Sequence, residues 1–83
     1  MCCDQRFTPQ GIERCQRVID EMAARLEADR HSLAAFKLTV ADLQQSLGVE
    51  IPPMTAHATL WEMELAGRER RLEGFRGWLK EHL

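Results

Sequence analysis

The sequence predicts an all-α protein: a long antiparallel two-helix coiled-coil hairpin that dimerises into a four-helix bundle. Three observations carry that expectation. An apolar seam spaced three and four residues apart runs through the first half of the chain, a Gly/Pro break follows it, and a second seam of the same spacing lies beyond the break.

The first seam reads Ile12, Cys15, Ile19, Met22, Leu26, Asp29, Leu33, Phe36, Val40, Leu43, Leu47, apolar everywhere but Asp29. Ahead of it Thr8 is placed to cap a helix, and Pro9 sits at the first helical position, where its missing N–H costs nothing. Gly48 suits the left-handed residue that ends a helix, and Pro52-Pro53 cannot continue one. These signals set a helix over 9–47, roughly 58 Å long at 1.5 Å per residue. They leave 1–8 as a flexible N-terminal segment and 9–83 as a single helical-hairpin domain, with a turn over 48–54 and a second helix over 55–83.

Thr55 can cap that second helix, and Thr59 with Glu62 spells an S/T-x-x-E capping box one turn later. Its seam reads Ala58, Trp61, Leu65, Arg68, Leu72, Phe75, Leu79, His82. Gly67, Gly74 and Gly77 each weaken a helix interior by about 1 kcal/mol relative to alanine, so packing must hold this segment helical.

Aligning the two helices outward from the turn sets Leu43 against Ala58, Val40 against Trp61, Phe36 against Leu65, Leu33 against Arg68, Asp29 against Leu72, Leu26 against Phe75 and Met22 against Leu79. The two polar seam residues, Asp29 and Arg68, then fall in adjacent layers and are expected to pair, specifying register more than adding stability. Ile12 and Cys15 are left without an intrachain partner.

Composition narrows the function classes. With 83 residues, 11 Lys+Arg against 13 Asp+Glu and a formal charge of -2, the chain has no basic footprint, which makes nucleic acid an unlikely partner. Arg68-Glu69-Arg70-Arg71 lies among Glu62, Glu64 and Glu73, so it reads as a solvated face. No apolar run is long enough to span a membrane, and the first residues lack a basic and then apolar leader, so a cytoplasmic protein without membrane attachment is expected. Three cysteines, Cys2, Cys3 and Cys15, are an odd set and fit a reducing compartment. The absence of Asn and Tyr, with Lys37 and Lys80 as the only lysines, suggests a GC-rich bacterial coding sequence.

Chemistry finds little purchase. The cysteines do not spell C-x-x-C, and His31, His57 and His82 are too far apart to share a helical face, so neither metal nor cofactor is expected. Ser32 and Ser46 are the only serines, and no phosphate loop or nucleophile–base spacing occurs, so the chain is read as not an enzyme.

What remains is recognition. Leu60, Met63, Gly67, Gly74 and Trp78 on the second helix lie off the seam, as do Val18, Ala24, Ala28, Ala35 and Leu38 on the first. A two-helix hairpin cannot cover both stripes. Val18, Leu38, Leu60, Met63, Gly67, Gly74 and Trp78 are therefore the candidate partner contacts, with the small glycines admitting a close helix, Trp78 as an anchor, and Arg70, Arg71 and Arg76 on the rim. The expected role is a small protein-protein interaction module, an adaptor, co-chaperone or inhibitor/antiactivator, homodimeric, with a protein partner that the sequence does not name. The plan resembles small dimeric helical-hairpin proteins in architecture only.

The alternative is a DNA-binding transcriptional regulator. Leu38 to Val49, followed by Pro53 to His57, looks like a bacterial helix-turn-helix, with Thr39 capping a short first helix, Gly48 in the turn, Met54 to His57 beginning the reading helix and Thr55, Ala56 and His57 meeting DNA. Against it stand Gln44 where such motifs carry a small residue, a reading helix that offers no Arg, Lys or Asn there, and the acidic balance.

Overall fold

A computed structural model describes residues 8–83, which form two helices, α1 (Pro9–Leu47) and α2 (Pro52–Glu81), with no strand among them. Cys2 and Cys3, and the expected flexible segment up to residue 7, lie outside the described residues. Together the helices make an elongated helical hairpin of 68 × 15 × 15 Å.

The ends of α1 follow from their residues. Thr8 is extended, and its hydroxyl accepts the Gly11 N–H at 3.1 Å. Gly48 takes φ 71°, a left-handed conformation that a side chain would strain, and its N–H closes on the Gln44 carbonyl at 2.8 Å.

The turn is shorter than the sequence suggests, spanning 48–51 rather than 48–54. α2 starts at Pro52, not Thr55, because a proline that cannot continue one helix can open the next. Ile51 is the capping residue, and its side chain makes no cap bond. The Thr59–Glu62 capping box does not form: the Thr59 hydroxyl donates to the Thr55 carbonyl at 3.1 Å within α2, and Glu62 pairs with Lys37.

The earlier start of α2 moves the register by about one helical turn. Phe36 meets Trp61, with ring centroids 5.8 Å apart, where the alignment from sequence set it against Leu65. Asp29 pairs with Arg68, as expected, but directly in its own layer, where Leu72 had been placed. At this register Ile19, Leu26, Leu33 and Val40 of α1 come level with Leu79, Leu72, Leu65 and Ala58 of α2. Among the described residues these eight are the buried ones. Each recurs at heptad spacing, position a of both helices, and burying a leucine there contributes about 1.5–3 kcal/mol. Ile12 is half-buried against this core, whereas Cys15 is exposed.

Two unlike faces flank the line of a residues. On one, the e positions carry interhelical ion pairs: Arg30 with Glu69 at 2.6 Å, and Lys37 with Glu62. The hydrogen bond and charge of Glu69 hold the Arg30 guanidinium above its ordinary range. On the other lie the d residues Met22, Asp29, Phe36 and Leu43 of α1 and Trp61, Arg68 and Phe75 of α2, with the g residues beyond them. The hairpin thus has unlike sides: the e side is polar and ion-paired, whereas the d side is mostly apolar, interrupted by Asp29 and Arg68, and is bordered by g residues that are apolar only at Val18 and Trp78.

Candidate functional site

The apolar side opens into a groove at the end of the hairpin remote from the turn. Arg14, Cys15, Val18, Ile19 and Met22 of α1 and Arg71, Gly74, Phe75, Trp78 and Leu79 of α2 line this open groove, whose volume is about 800 Å³. Its floor is the last buried layer, Ile19 and Leu79, and its walls are Met22 and Phe75, so it is a direct extension of the core that nothing in the hairpin closes. Phe75 is 50% exposed and Trp78 48%, a large aromatic area to leave in water. The Trp78 ring stacks on His82 with centroids 4.3 Å apart, and His82 Nδ1 donates to the Trp78 carbonyl at 2.7 Å, which fixes the indole along the groove wall.

Next to the groove is a smaller recess lined by Met22, Arg25, Leu26, Arg68, Arg71 and Leu72. The linings of the two carry arginines and no carboxylate; Arg68 is matched by Asp29 just behind it. The groove can therefore seat apolar side chains and offer guanidinium groups at its edge.

The residues singled out from sequence divide accordingly. Val18, Gly74, Trp78 and Arg71 come together in the groove. Leu38, Leu60 and Met63 are highly exposed but sit elsewhere: Leu60 lies about 21 Å along α2 from Gly74, and Leu38 and Met63 are on the outer faces of their helices. Arg70 and Arg76 are exposed and line neither recess, and Gly67 is half-buried with only the Arg70 side chain near it. Among the described residues nothing lies within 4 Å of a Cβ placed at Gly74. The sequence candidates did not include the groove residues Cys15, Ile19, Met22, Phe75 and Leu79, which are seam positions and so expected to be covered, nor Arg14, which is off the seam. For Arg14 and Cys15 the signal was the excess length of α1 past the end of α2.

The helix-turn-helix expectation does not match the local geometry. α1 runs through Thr39 without a break, and the Thr39 hydroxyl donates to the Ala35 carbonyl at 3.0 Å instead of capping a new helix. Thr55 and His57 are exposed and make contacts within the hairpin: the Thr55 hydroxyl lies 3.5 Å from Gln44 Oε1, and the His57 ring sits edge-on to Phe36 with centroids 5.4 Å apart.

Among the described residues no group of three or more His, Cys, Asp or Glu side chains could hold a metal ion, and no helix is long and apolar enough to cross a membrane. The fold and groove define the chain as an all-α helical hairpin with one uncovered apolar face. No known protein family, curated protein or solved structure matches it.

Proposed function

We propose that the chain is a small protein-protein interaction module: an antiparallel hairpin that presents its d/g face to helices of another chain and acts as an adaptor, co-chaperone or inhibitor/antiactivator. The observation that carries this reading is the groove between Val18 and Trp78, an extension of the core that the hairpin leaves open opposite an ion-paired face. The antiparallel arrangement is supported by the order of contacts, in which Gln44 meets Ile51, Phe36 meets Trp61 and Arg30 meets Glu69. The half-exposed d residues Met22, Phe36, Trp61 and Phe75 on one side of the hairpin support completion of a four-helix bundle by a second pair of helices.

The surface area supports the same reading. A compact monomer of this mass would expose about 5,100 Å². The chain exposes 6675 Å². The difference is about twice the 800 Å² that each partner buries in a standard stable interface.

Val18→Glu and Trp78→Glu test the proposal, since each places a carboxylate in the groove without touching the buried a layer. The expected result is unchanged helicity at high protein concentration, with loss of self-association and of any stable complex with another protein. Variants that keep every association of the parent chain would show that the face is only a solvated surface.

A further inference from the structure

We infer that the surface covering the d/g face is a second copy of this chain, laid face to face with both turns at the same end. The Asp29–Arg68 pairs of the two copies then meet in one layer at the middle of the bundle. The inference rests on the reading of that face as a recognition surface and names its occupant.

The position of the ion pair is the first argument. Asp29 and Arg68 occupy the d layer midway along the face, with Met22 and Phe75 in the next layer toward the groove and Phe36 and Trp61 in the next toward the turn. An apolar helix laid over this face would strip water from a guanidinium and a carboxylate while adding no partner to either, a cost of several kcal/mol per ion before any Coulomb return. A second copy brings a second Asp29–Arg68 pair to that level, so each ion gains an opposite charge across the interface in return for its lost water. With the turns at the same end, α1 of one copy lies over α2 of the other, and the charges alternate Asp, Arg, Asp, Arg around the layer. Turns at opposite ends would set Arg68 beside Arg68 and Asp29 beside Asp29.

The groove gives the second argument. In the same-ended arrangement the two grooves close on each other, Val18 of one copy over the partner's Trp78, so that each apolar recess is filled by its own counterpart. Such an interface is isologous, one patch meeting itself through a two-fold axis. Turned end for end, each groove would instead lie over the turn half of the other copy, near Thr39 and His57.

One contact opposes the arrangement and makes it testable. Arg25, a g residue on the rim beside Arg71, lies across from the partner's Arg71, twice per dimer. Both side chains reach solvent, so the repulsion is screened and weaker than the gain in the central layer. Replacing Arg25 with glutamate converts the two repulsions to attractions. In the opposite-ended dimer Arg25 faces Ser32, and no comparable gain exists.

The experiment is sedimentation equilibrium of the full chain in reducing buffer, at low salt and at high salt. The parent chain is expected at twice 9.6 kDa. Arg25→Glu is expected to tighten the dimer about tenfold at low salt, with the gain shrinking at high salt. Spin labels at Glu50→Cys, in a chain whose Cys2, Cys3 and Cys15 are replaced by alanine and which sediments as the parent does, are expected within about 25 Å of each other; an opposite-ended dimer separates them by about 60 Å. A dimer whose labels are far apart, or which Arg25→Glu fails to tighten, overturns the arrangement. A helical monomer of 9.6 kDa at every concentration overturns the inference while leaving the recognition reading standing, because the face is then open to a different protein.

Discussion

Gln44 and Ile51 are joined across the turn, the Gln44 side-chain oxygen accepting the Ile51 N–H at 2.9 Å. One residue therefore serves two ends: its backbone carbonyl receives Gly48 as α1 stops, and its side chain holds the residue from which α2 starts. Gln44 is half-buried, so this bond is partly shielded from water. Gln44→Ala is expected to lower unfolding stability by about 1 kcal/mol, the net worth of such a bond. Gln44→Glu, which keeps an acceptor in place, should lose less. Urea denaturation of the three chains gives the comparison, and an alanine variant as stable as the parent would show that the turn is held without this bond.

Glycines in this chain act in opposite directions. Gly48 needs its left-handed φ of 71°, so Gly48→Ala should cost about 1–2 kcal/mol. Gly77 is ordinary helix with nothing near its Cα, so Gly77→Ala should gain about 1 kcal/mol. Opposite shifts in midpoint temperature are the expected outcome. If both variants fall, Gly77 is making a close contact that the hairpin does not contain.

The core line separates buried from merely apolar. Leu26 and Leu65 are 4% and 5% exposed, and truncating either to alanine should cost about 3 kcal/mol by lost transfer and the cavity left behind. Leu38 is 73% exposed, and Leu38→Ala should change stability by no more than about 0.5 kcal/mol. Equal losses at Leu26 and Leu38 would mean that the outer face of α1 is covered after all.

Much of the fold was legible in the residues. The Thr8 cap, Pro9, Gly48 and the seam from Ile19 to Val40 are local signals, and local signals set where α1 starts, stops and faces. The start of α2 was not legible, because Pro52-Pro53 ends a helix and opens one with the same chemistry, and the choice depends on Gln44 reaching Ile51 from the preceding helix. That single ambiguity displaced every interhelical layer by about a turn. The site was half legible for a related reason. Val18, Gly74 and Trp78 could be picked as off-seam residues, but Leu38, Leu60 and Met63 share that property without sharing a surface with them. The groove lies beside the last buried layer, Ile19 and Leu79, and its lining is brought together by the pairing of the two helices, so most of it cannot be read from either helix alone.

The pairing of Asp29 with Arg68 yields the prediction most dependent on context. Their side chains are 42% and 28% exposed, so within one hairpin the pair is only partly desolvated and its coupling should be about 1 kcal/mol or less. Removing one partner leaves the other half-buried in an apolar layer, whereas replacing both with leucine extends that layer from Met22 and Phe75 to Phe36 and Trp61. Asp29→Leu and Arg68→Leu are therefore each expected to destabilise, and the double variant to be as stable as the parent or more so. The double variant should also lose a unique register, since an unbroken apolar stripe can slide by a heptad where a charged layer cannot. Thermal unfolding gives the coupling energy, and the spread of oligomer masses gives the register. Single variants with no loss of stability would show that the pair is a surface contact.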